Sequence, residues 1–198
     1  FPVSLVLSHL ACADDPTHPL NTQQHSRFSA ACRQLPAAPA SLCNTAGVLL
    51  GANYHFDLVR PGIGLYGGNP FSTPGHPFKP VVTLSARIMR VSTIPAGESV
   101  GYGATFQTVA PTRVATLAAG YADGYFRALG TTDGRGLSVS IDGKMAPVIG
   151  RVSMDMITVD VSHLPEKQIK RGQFAELIGE KITIGDVGRA AGTIGYEV

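Results

Sequence analysis

The sequence predicts an α/β segment followed by an all-β segment, and three observations carry that expectation. Up to about residue 67, short apolar runs alternate with helical patterns over short connections, which is how parallel βαβ units read. Beyond the Gly/Pro-rich stretch "LYGGNPFSTPGHPFKP", strand patterns follow one another with turn signals every ten or so residues, as in an antiparallel barrel or sandwich. Charged residues make up only 15% of the 198 residues, with 23 glycines and 14 prolines. The usual charged share is about 25%, so long solvated helices are few and turns are many.

The first elements follow in order. "PVSLVLSHL" reads as a buried strand. "LNTQQHSRFSAACRQL" reads as a helix with Phe28, Ala31, Cys32 and Leu35 on one face. "PASLCN" is a short strand, "TAGVLLG" a short helix closed by Gly51, and "HFDLVRPG" a further strand. Three strands in so short a stretch cannot close a barrel or a full sheet, so they are expected to be part of one.

The second segment reads as strands at "VVTLSARIMRVSTI", "RVATLAAGYA", "LSVSIDGKMAPVIG", "MITVDVS", "QFAELIGE" and "KITIGDV". Asp142-Gly143 between alternating strands signals a tight hairpin. "IGDVGRAAG" reads as a short helix overlapping the last strand, and the final "TIGYEV" as strand-like. The chain begins at Phe1 without a methionine and is expected to be a piece of a longer protein.

Composition excludes several function classes. Hydrophobic residues make up 44%, enough for a packed core. A net charge of +2 argues against general affinity for nucleic acid or anionic membrane. No apolar run is long enough to span a bilayer. "LVLSHLACA" lacks the basic start of a signal peptide and carries a histidine in its apolar run. Cys12, Cys32 and Cys43 are odd in number and show no metal-ligand spacing, which reads as a reduced, cytoplasmic chain.

Several short stretches could carry chemistry. In "ESVGYGATFQT", Tyr102 stands between Gly101 and Gly103. This is either a bend in a strand or a backbone shaped to hold a phenol against a ligand. "RPGIGLYGG" matches the glycine spacing of a dinucleotide fingerprint, but the sequence after Gly67 cannot open a helix, so that reading fails. What remains is a strand end bearing Arg60, then backbone with free N–H groups, as in phosphate-binding loops. In "CNTAG", Asn44 or Thr45 caps a helix and could form an anion site. His9 ends a strand and enters the loop "ACADDP", where adjacent Asp14 and Asp15 side chains diverge. "AAGYADGYFR" and "VIGRVSMDM" gather Tyr121, Tyr125, Arg127, Arg151, Met154 and Asp155; an arginine–aspartate network pinning loops is the structural alternative. Arg87, Arg90 and Arg113 lack the interleaved aromatics of an oligonucleotide-binding face.

Six of these motifs, "SHLACADDP", "LCNTAG", "RPGIGLYG", "VGYGATF", "GYADGY.R" and "GRVSMDM..VDV", occur in an order and spacing that resembles the alanine racemases. The resemblance covers nearly the whole chain. It implies the end of a (β/α)8 barrel over residues 1–68 and a C-terminal antiparallel β domain over 75–198. It also implies pyridoxal phosphate as cofactor, a homodimer with a shared active site, and interconversion of L- and D-alanine.

By the same resemblance Tyr102 matches the tyrosine that serves as acid/base on one face of the substrate α-carbon. Arg60 matches the arginine facing the cofactor ring nitrogen, and His9 the histidine linking it to the tyrosine. Asn44, Thr45, Gly62 and Ile63 match the phosphate-side contacts, with Thr45 in place of the usual serine. Met154, Asp155 and Tyr121 match residues near the substrate, and Asp14, Arg127 and Arg151 match the access corridor. The family's cofactor lysine falls before Phe1, and none of Lys79, Lys144, Lys167, Lys170 or Lys181 stands in its motif. A broader amino-acid racemase and a non-catalytic dimerisation or binding module are the rival expectations.

Overall fold

The computed structural model describes residues 2–71, 75, 77–130 and 136–198. The middle of the expected boundary stretch, at 72–74 and 76, lies outside the described residues, as does Phe1. The chain divides into two compact units, Phe1–Val81 and Val82–Val198.

In the first unit, strand β1 (Val6–Leu7) runs parallel to β2 (Ala40–Ser41), joined by helix α1 (Pro19–Cys32). Both strands are shorter than the sequence suggests. The expected buried strand "PVSLVLSHL" keeps only two ladder residues, and Leu7 is 60% exposed, because β2 is the sole strand paired to it among the described residues. Helix α1 starts at a histidine cap, where His18 Nδ1 accepts from the Leu20 amide, with Pro19 at the first helical position. It stops at Cys32, so Leu35 falls beyond its end, and Ala31 faces solvent.

The inner face of α1 is instead Asn21, Gln24, His25 and Phe28, one turn apart in pairs. Phe28 packs with Leu10, Ala13, Ala40, Leu42 and Ala46 in the small core of this unit. Helix α2 (Thr45–Leu49) follows, capped by Asn44, whose side-chain oxygen accepts from the Gly47 amide at 2.9 Å. The expected strand "HFDLVRPG" forms no ladder. It lies beside β2 through single bonds from the Asp57 and Leu58 amides to the Ala40 carbonyl and from the Arg60 amide to the Cys43 carbonyl.

The second unit is built on one antiparallel sheet. Its strands are β3 (Leu84–Ile94), β6 (Thr112–Leu117), β7 (Ser138–Ile141), β8 (Lys144–Pro147), β9 (Ile157–Asp160) and β10 (Phe174–Ile178); between β3 and β6 the chain forms a separate small pair, β4 (Ser99–Val100) and β5 (Phe106–Gln107). The order is β8-β7-β10-β3-β6-β9. A bridge between Val148 and Val159, with the Ile149 amide on the Thr158 carbonyl at 2.9 Å, brings the two outer strands together, so the sheet closes on itself.

Inward positions recur with period two: Ala86 and Ile88, Ala115 and Leu117, Ile157 and Val159, Ala175 and Leu177. All join one core, and each fully buried aliphatic side chain contributes about 1.5–3 kcal/mol. The β7–β8 hairpin turns on Asp142 and Gly143, both at positive φ, as a two-residue turn requires. "KITIGDV" is not a strand. Thr183 and Asp186 form a reciprocal cap that opens helix α3 (Ile184–Ala191) there, and the closing "TIGYEV" is turn, not strand.

Candidate functional site

The candidate residues form two clusters, one in each unit. The first gathers where β1 and β2 end. Arg60 Nη1 donates to Ser41 Oγ, and Nη2 donates to the Ser8 carbonyl at 2.7 Å. The same Nη2 lies 3.4 Å from His9 Nδ1. Ser41 is fully buried and passes its own hydrogen to the Leu58 carbonyl at 2.7 Å. A guanidinium has donors only, so every group around this one has to accept. Burial pushes the Cys43 thiol pKa up, and the nearby Arg60 charge opposes that rise.

Thr45, the first residue of α2, stands beside the loop that follows Arg60. Its hydroxyl is 1% exposed and accepts from the Gly62 amide at 2.8 Å and the Gly64 amide at 3.3 Å. The loop after Arg60 therefore does not hold free N–H groups at Gly62 and Gly64, as the sequence suggested: Thr45 takes both. A hydroxyl has two lone pairs and one hydrogen, so Thr45 retains an O–H to donate. Nothing would crowd a Cβ at Gly62, whereas one at Gly64 would meet Thr45 Cγ2 at 2.7 Å. Ile63 is buried at the start of a short 3-10 turn, Ile63–Tyr66, which Gly67 ends at φ 79°. Asn44 Nδ2 lies 3.3 Å from His9 Nε2. Asp14 is exposed in the loop after β1, apart from these contacts, while its neighbour Asp15 is held by Thr17 and has its pKa lowered by that side-chain bond.

The second cluster is made of loops. Tyr102 is 72% exposed at the start of a one-turn 3-10 helix, Tyr102–Ala104. Gly101, Gly103 and Ala104 have φ of 78°, 76° and 49°. A Cβ at Gly101 would lie 3.0 Å from the Arg151 amide, and one at Gly103 would lie 3.0 Å from Arg151 Nη1. Both glycines are thus required locally, by left-handed backbone and by the passage of Arg151. Local packing thus gives both glycines a reason of their own beside the approach of the phenol to a ligand, and the ring is presented to solvent by the bend.

Arg151 leads into Val152-Ser153-Met154-Asp155, which is strapped to the other motif: the Tyr121 amide donates to the Ser153 carbonyl at 3.0 Å and the Ala122 amide to the Met154 carbonyl at 2.9 Å. A Cβ at Gly120 would collide with both carbonyls. Tyr102, Tyr121 and Met154 are thereby presented on loops flanking one segment, all exposed. Asp155 is exposed at its turn, and Arg127 is exposed in the 3-10 turn Arg127–Leu129. Main-chain bonds and glycines hold these loops, and the only ion pair among the described residues is Arg189–Asp186, so the expected arginine–aspartate network is not what pins them.

Sequence reasoning passed over Ser41, a lone hydroxyl in the strand "ASLC", and Gln24, a polar residue four before Phe28 on the inner helix face. A polar side chain at an apolar position was the signal for each. Among the described residues no helix is long and apolar enough to cross a membrane.

Comparison with known proteins adds the family. The model for the alanine racemase C-terminal domain matches residues 81–198, and that for the N-terminal domain matches residues 1–70. The alanine racemase of Rhizobium meliloti (strain 1021) is 46% identical over 98% of this chain and 53% of its own length. The crystal structure of alanine racemase from Bartonella henselae with covalently bound pyridoxal phosphate superimposes with a TM-score of 0.88 at 39% identity, covering 98% of this chain and 53% of that one. Alanine racemase from Streptomyces coelicolor A3(2) gives a TM-score of 0.87 at 36% identity over 99% and 53%. The chain spans about half the length of the curated relatives it matches. By the match of the C-terminal model alone, more than half its length, the chain belongs to the alanine racemase family.

Proposed function

We propose that these residues form part of a pyridoxal-phosphate-dependent enzyme that interconverts L- and D-alanine by moving a proton to and from the α-carbon, with Tyr102 as one of two bases. The observation that carries this is the first cluster: one arginine fork fixed by Ser41 and Ser8 beside His9, next to a buried threonine hydroxyl with its own hydrogen left to give. That donor set fits an aromatic cofactor bearing a phosphate. Thr45, Asn44 and the Ile63 amide would hold the phosphate, with Gly62, whose own amide is given to Thr45, shaping the loop beside it, and Arg60 would face the ring. The cofactor would supply an electron sink for the α-carbon. An arginine there keeps its protons, so it orients and polarises the ring without protonating it.

Tyr102 in this reading takes and returns the proton on one face. Its exposed, bend-presented ring suits a group that works in a site shared with a second copy of the chain in a homodimer. Met154, Asp155 and Tyr121 would border the substrate, and Asp14, Arg127 and Arg151 its approach. Residues 1–68 would be the last part of a (β/α)8 barrel and 75–198 the β domain, in a cytoplasmic enzyme. The second base would be a lysine outside residues 1–198, since none of Lys79, Lys144, Lys167, Lys170 or Lys181 stands in the family's lysine motif.

The test is racemisation of L- and D-alanine by the complete protein loaded with pyridoxal phosphate, with Tyr102→Phe as the variant. Loss of a positioned acid/base costs about 10²–10⁴ in rate, and α-proton exchange should fall far more for one enantiomer than for the other. Small, equal losses would refute the role of Tyr102. Reductive trapping of the cofactor on Lys79, Lys144, Lys167, Lys170 or Lys181 in full yield would refute the outside lysine.

A further inference from the structure

Helix α1 turns three polar side chains inward at Asn21, Gln24 and His25, and each of them reaches a loop. Asn21 Nδ2 donates to the Asp15 carbonyl at 2.9 Å, and His25 Nε2 meets the Asn53 carbonyl at 2.9 Å. Gln24 makes two bonds to one loop: its Oε1 accepts from the Ala11 amide at 2.9 Å and its Nε2 donates to the His9 carbonyl at 2.9 Å. A primary amide spends both ends this way only where the two main-chain groups sit side by side. Gln24 therefore braces residues 9–11 across the point where the chain leaves β1, one residue past the last bond to β2, from the Ser8 amide to the Ser41 carbonyl.

The ring contacts of His9 are longer, at 3.4 Å to Arg60 and 3.3 Å to Asn44. Both neighbours offer N–H groups, and a neutral imidazole has one lone pair in its plane to accept with. Only one of the two contacts is therefore a hydrogen bond in any one state. Asn44 cannot turn its oxygen to the ring, because that oxygen caps α2. The charged donor makes the stronger bond, so Nδ1 accepts from Arg60 and the ring hydrogen resides on Nε2. A ring held by one long bond depends on its backbone for its place. The two short bonds to that backbone come from Gln24.

We infer that Gln24 is a positioning residue for His9: it sets the imidazole beside Arg60 by clamping the main chain on both sides of Leu10, without touching any reacting group. The consequence for turnover rests on the racemase reading; the effect on His9 does not. The experiment is long-range 1H–15N correlation of the histidine-labelled protein, wild type against Gln24→Ala and Gln24→Glu, with alanine racemisation measured in parallel. Glutamate keeps the acceptor for the Ala11 amide and loses the donor to His9. Gln24→Ala should move the His9 ring nitrogens from one dominant tautomer toward the averaged pair of a free imidazole, with His25 and His55 unmoved. Gln24→Glu should fall between, and it carries the test if Gln24→Ala does not fold. In the active enzyme kcat should fall by up to about 100-fold, the effect of about 1 Å of misplacement, with KM changing much less. His9 signals that stay as in wild type, or move no more than those of His25 and His55, overturn the inference. If wild type does not racemise alanine while His9 shifts on Gln24→Ala, the positioning role stands and the racemase reading falls.

Discussion

In residues 1–81, side chains hold the surroundings of the first cluster: Ser41 takes one arm of Arg60, whose other arm goes to the Ser8 carbonyl, Thr45 holds the Gly62–Gly64 loop, and Gln24 holds residues 9–11. In residues 82–198, the loops of Tyr102 and Met154 are held chiefly by main chain, with Ser153 Oγ on the Met156 carbonyl and the Asp123 carboxylate on the Gly120 amide as the side-chain additions. Three left-handed residues bend the Tyr102 loop, and backbone bonds strap Tyr121 to Ser153. The cores differ in the same sense. The second unit closes a sheet around a continuous aliphatic interior, whereas the first has a small apolar cluster under α1. Positioning by side-chain hydrogen bonds is open to change at single residues. Positioning by backbone draws its rigidity from the core beneath it.

The largest effect should come from that core. Leu117 is fully buried between β3 and β9, and Leu117→Ala should cost about 2–5 kcal/mol. Hydrogen exchange read in peptides covering 84–94, 112–117 and 157–160 should accelerate accordingly. A loss below about 1 kcal/mol would mean that the sheet interior is looser than its burial indicates, and the contrast between the units would fail.

Next in size is Thr45→Val, which keeps the shape of the side chain and removes the acceptor shared by Gly62 and Gly64. Gly62 is exposed and Gly64 half-buried, so water replaces part of what their amides lose; a typical internal hydrogen bond contributes about 0.5–1.5 kcal/mol, and the protein should be destabilised by about that much. Thr45→Ser should recover most of it. Urea unfolding of both variants decides the matter: equal stability of Val and wild type would show that the hydroxyl does not hold the loop.

The alternation of strands in the second unit was legible because apolar and polar positions trade places every second residue, and Asp142-Gly143 marks its own turn. The Thr183–Asp186 cap was not, because "KITIGDV" alternates as a strand does until the capping bonds are counted. The first unit was read less well at its strands, since a two-residue ladder leaves little periodic trace. Its candidate residues were legible as motifs, but what holds them was not. Ser41 and Gln24 act through partners 19 and 15 residues away in the chain, and only the fold puts them there.

A smaller effect, of opposite sign, is expected at Tyr125. It is 3% exposed within the large core and its hydroxyl has no hydrogen-bond partner among the described residues. Tyr125→Phe removes a desolvated, unbonded hydroxyl and should leave stability unchanged or raise it by up to about 1 kcal/mol. Burial also raises the phenol's pKa well above its ordinary value near 10. The folded state then keeps its proton while the unfolded state loses it, so this group's contribution is intact below about pH 10 and is lost as pH rises beyond. Unfolding of wild type and Tyr125→Phe from pH 8 to 11 should show a steeper alkaline loss in wild type. Parallel curves would mean that the hydroxyl finds a partner or solvent.

The smallest effect on stability should belong to Tyr102, the residue with the largest proposed effect on rate. Its ring is mostly in solvent and its place is set by Gly101 and Gly103, not by its own contacts. Tyr102→Phe should therefore change unfolding free energy by no more than about 0.5 kcal/mol, the usual range for an exposed site. Gly103→Ala is the sharper partner experiment. It leaves the phenol untouched but asks a side chain to adopt φ 76° with its Cβ 3.0 Å from Arg151 Nη1. A non-glycine residue in the left-handed region costs about 1–2 kcal/mol, so Gly103→Ala should destabilise where Tyr102→Phe does not. If backbone holds Tyr102 in place, Gly103→Ala should also lower racemisation with the phenol still present. If Tyr102→Phe proves the more destabilising of the two, the ring is anchored by its own contacts, and the division between side-chain positioning in one unit and backbone positioning in the other does not hold.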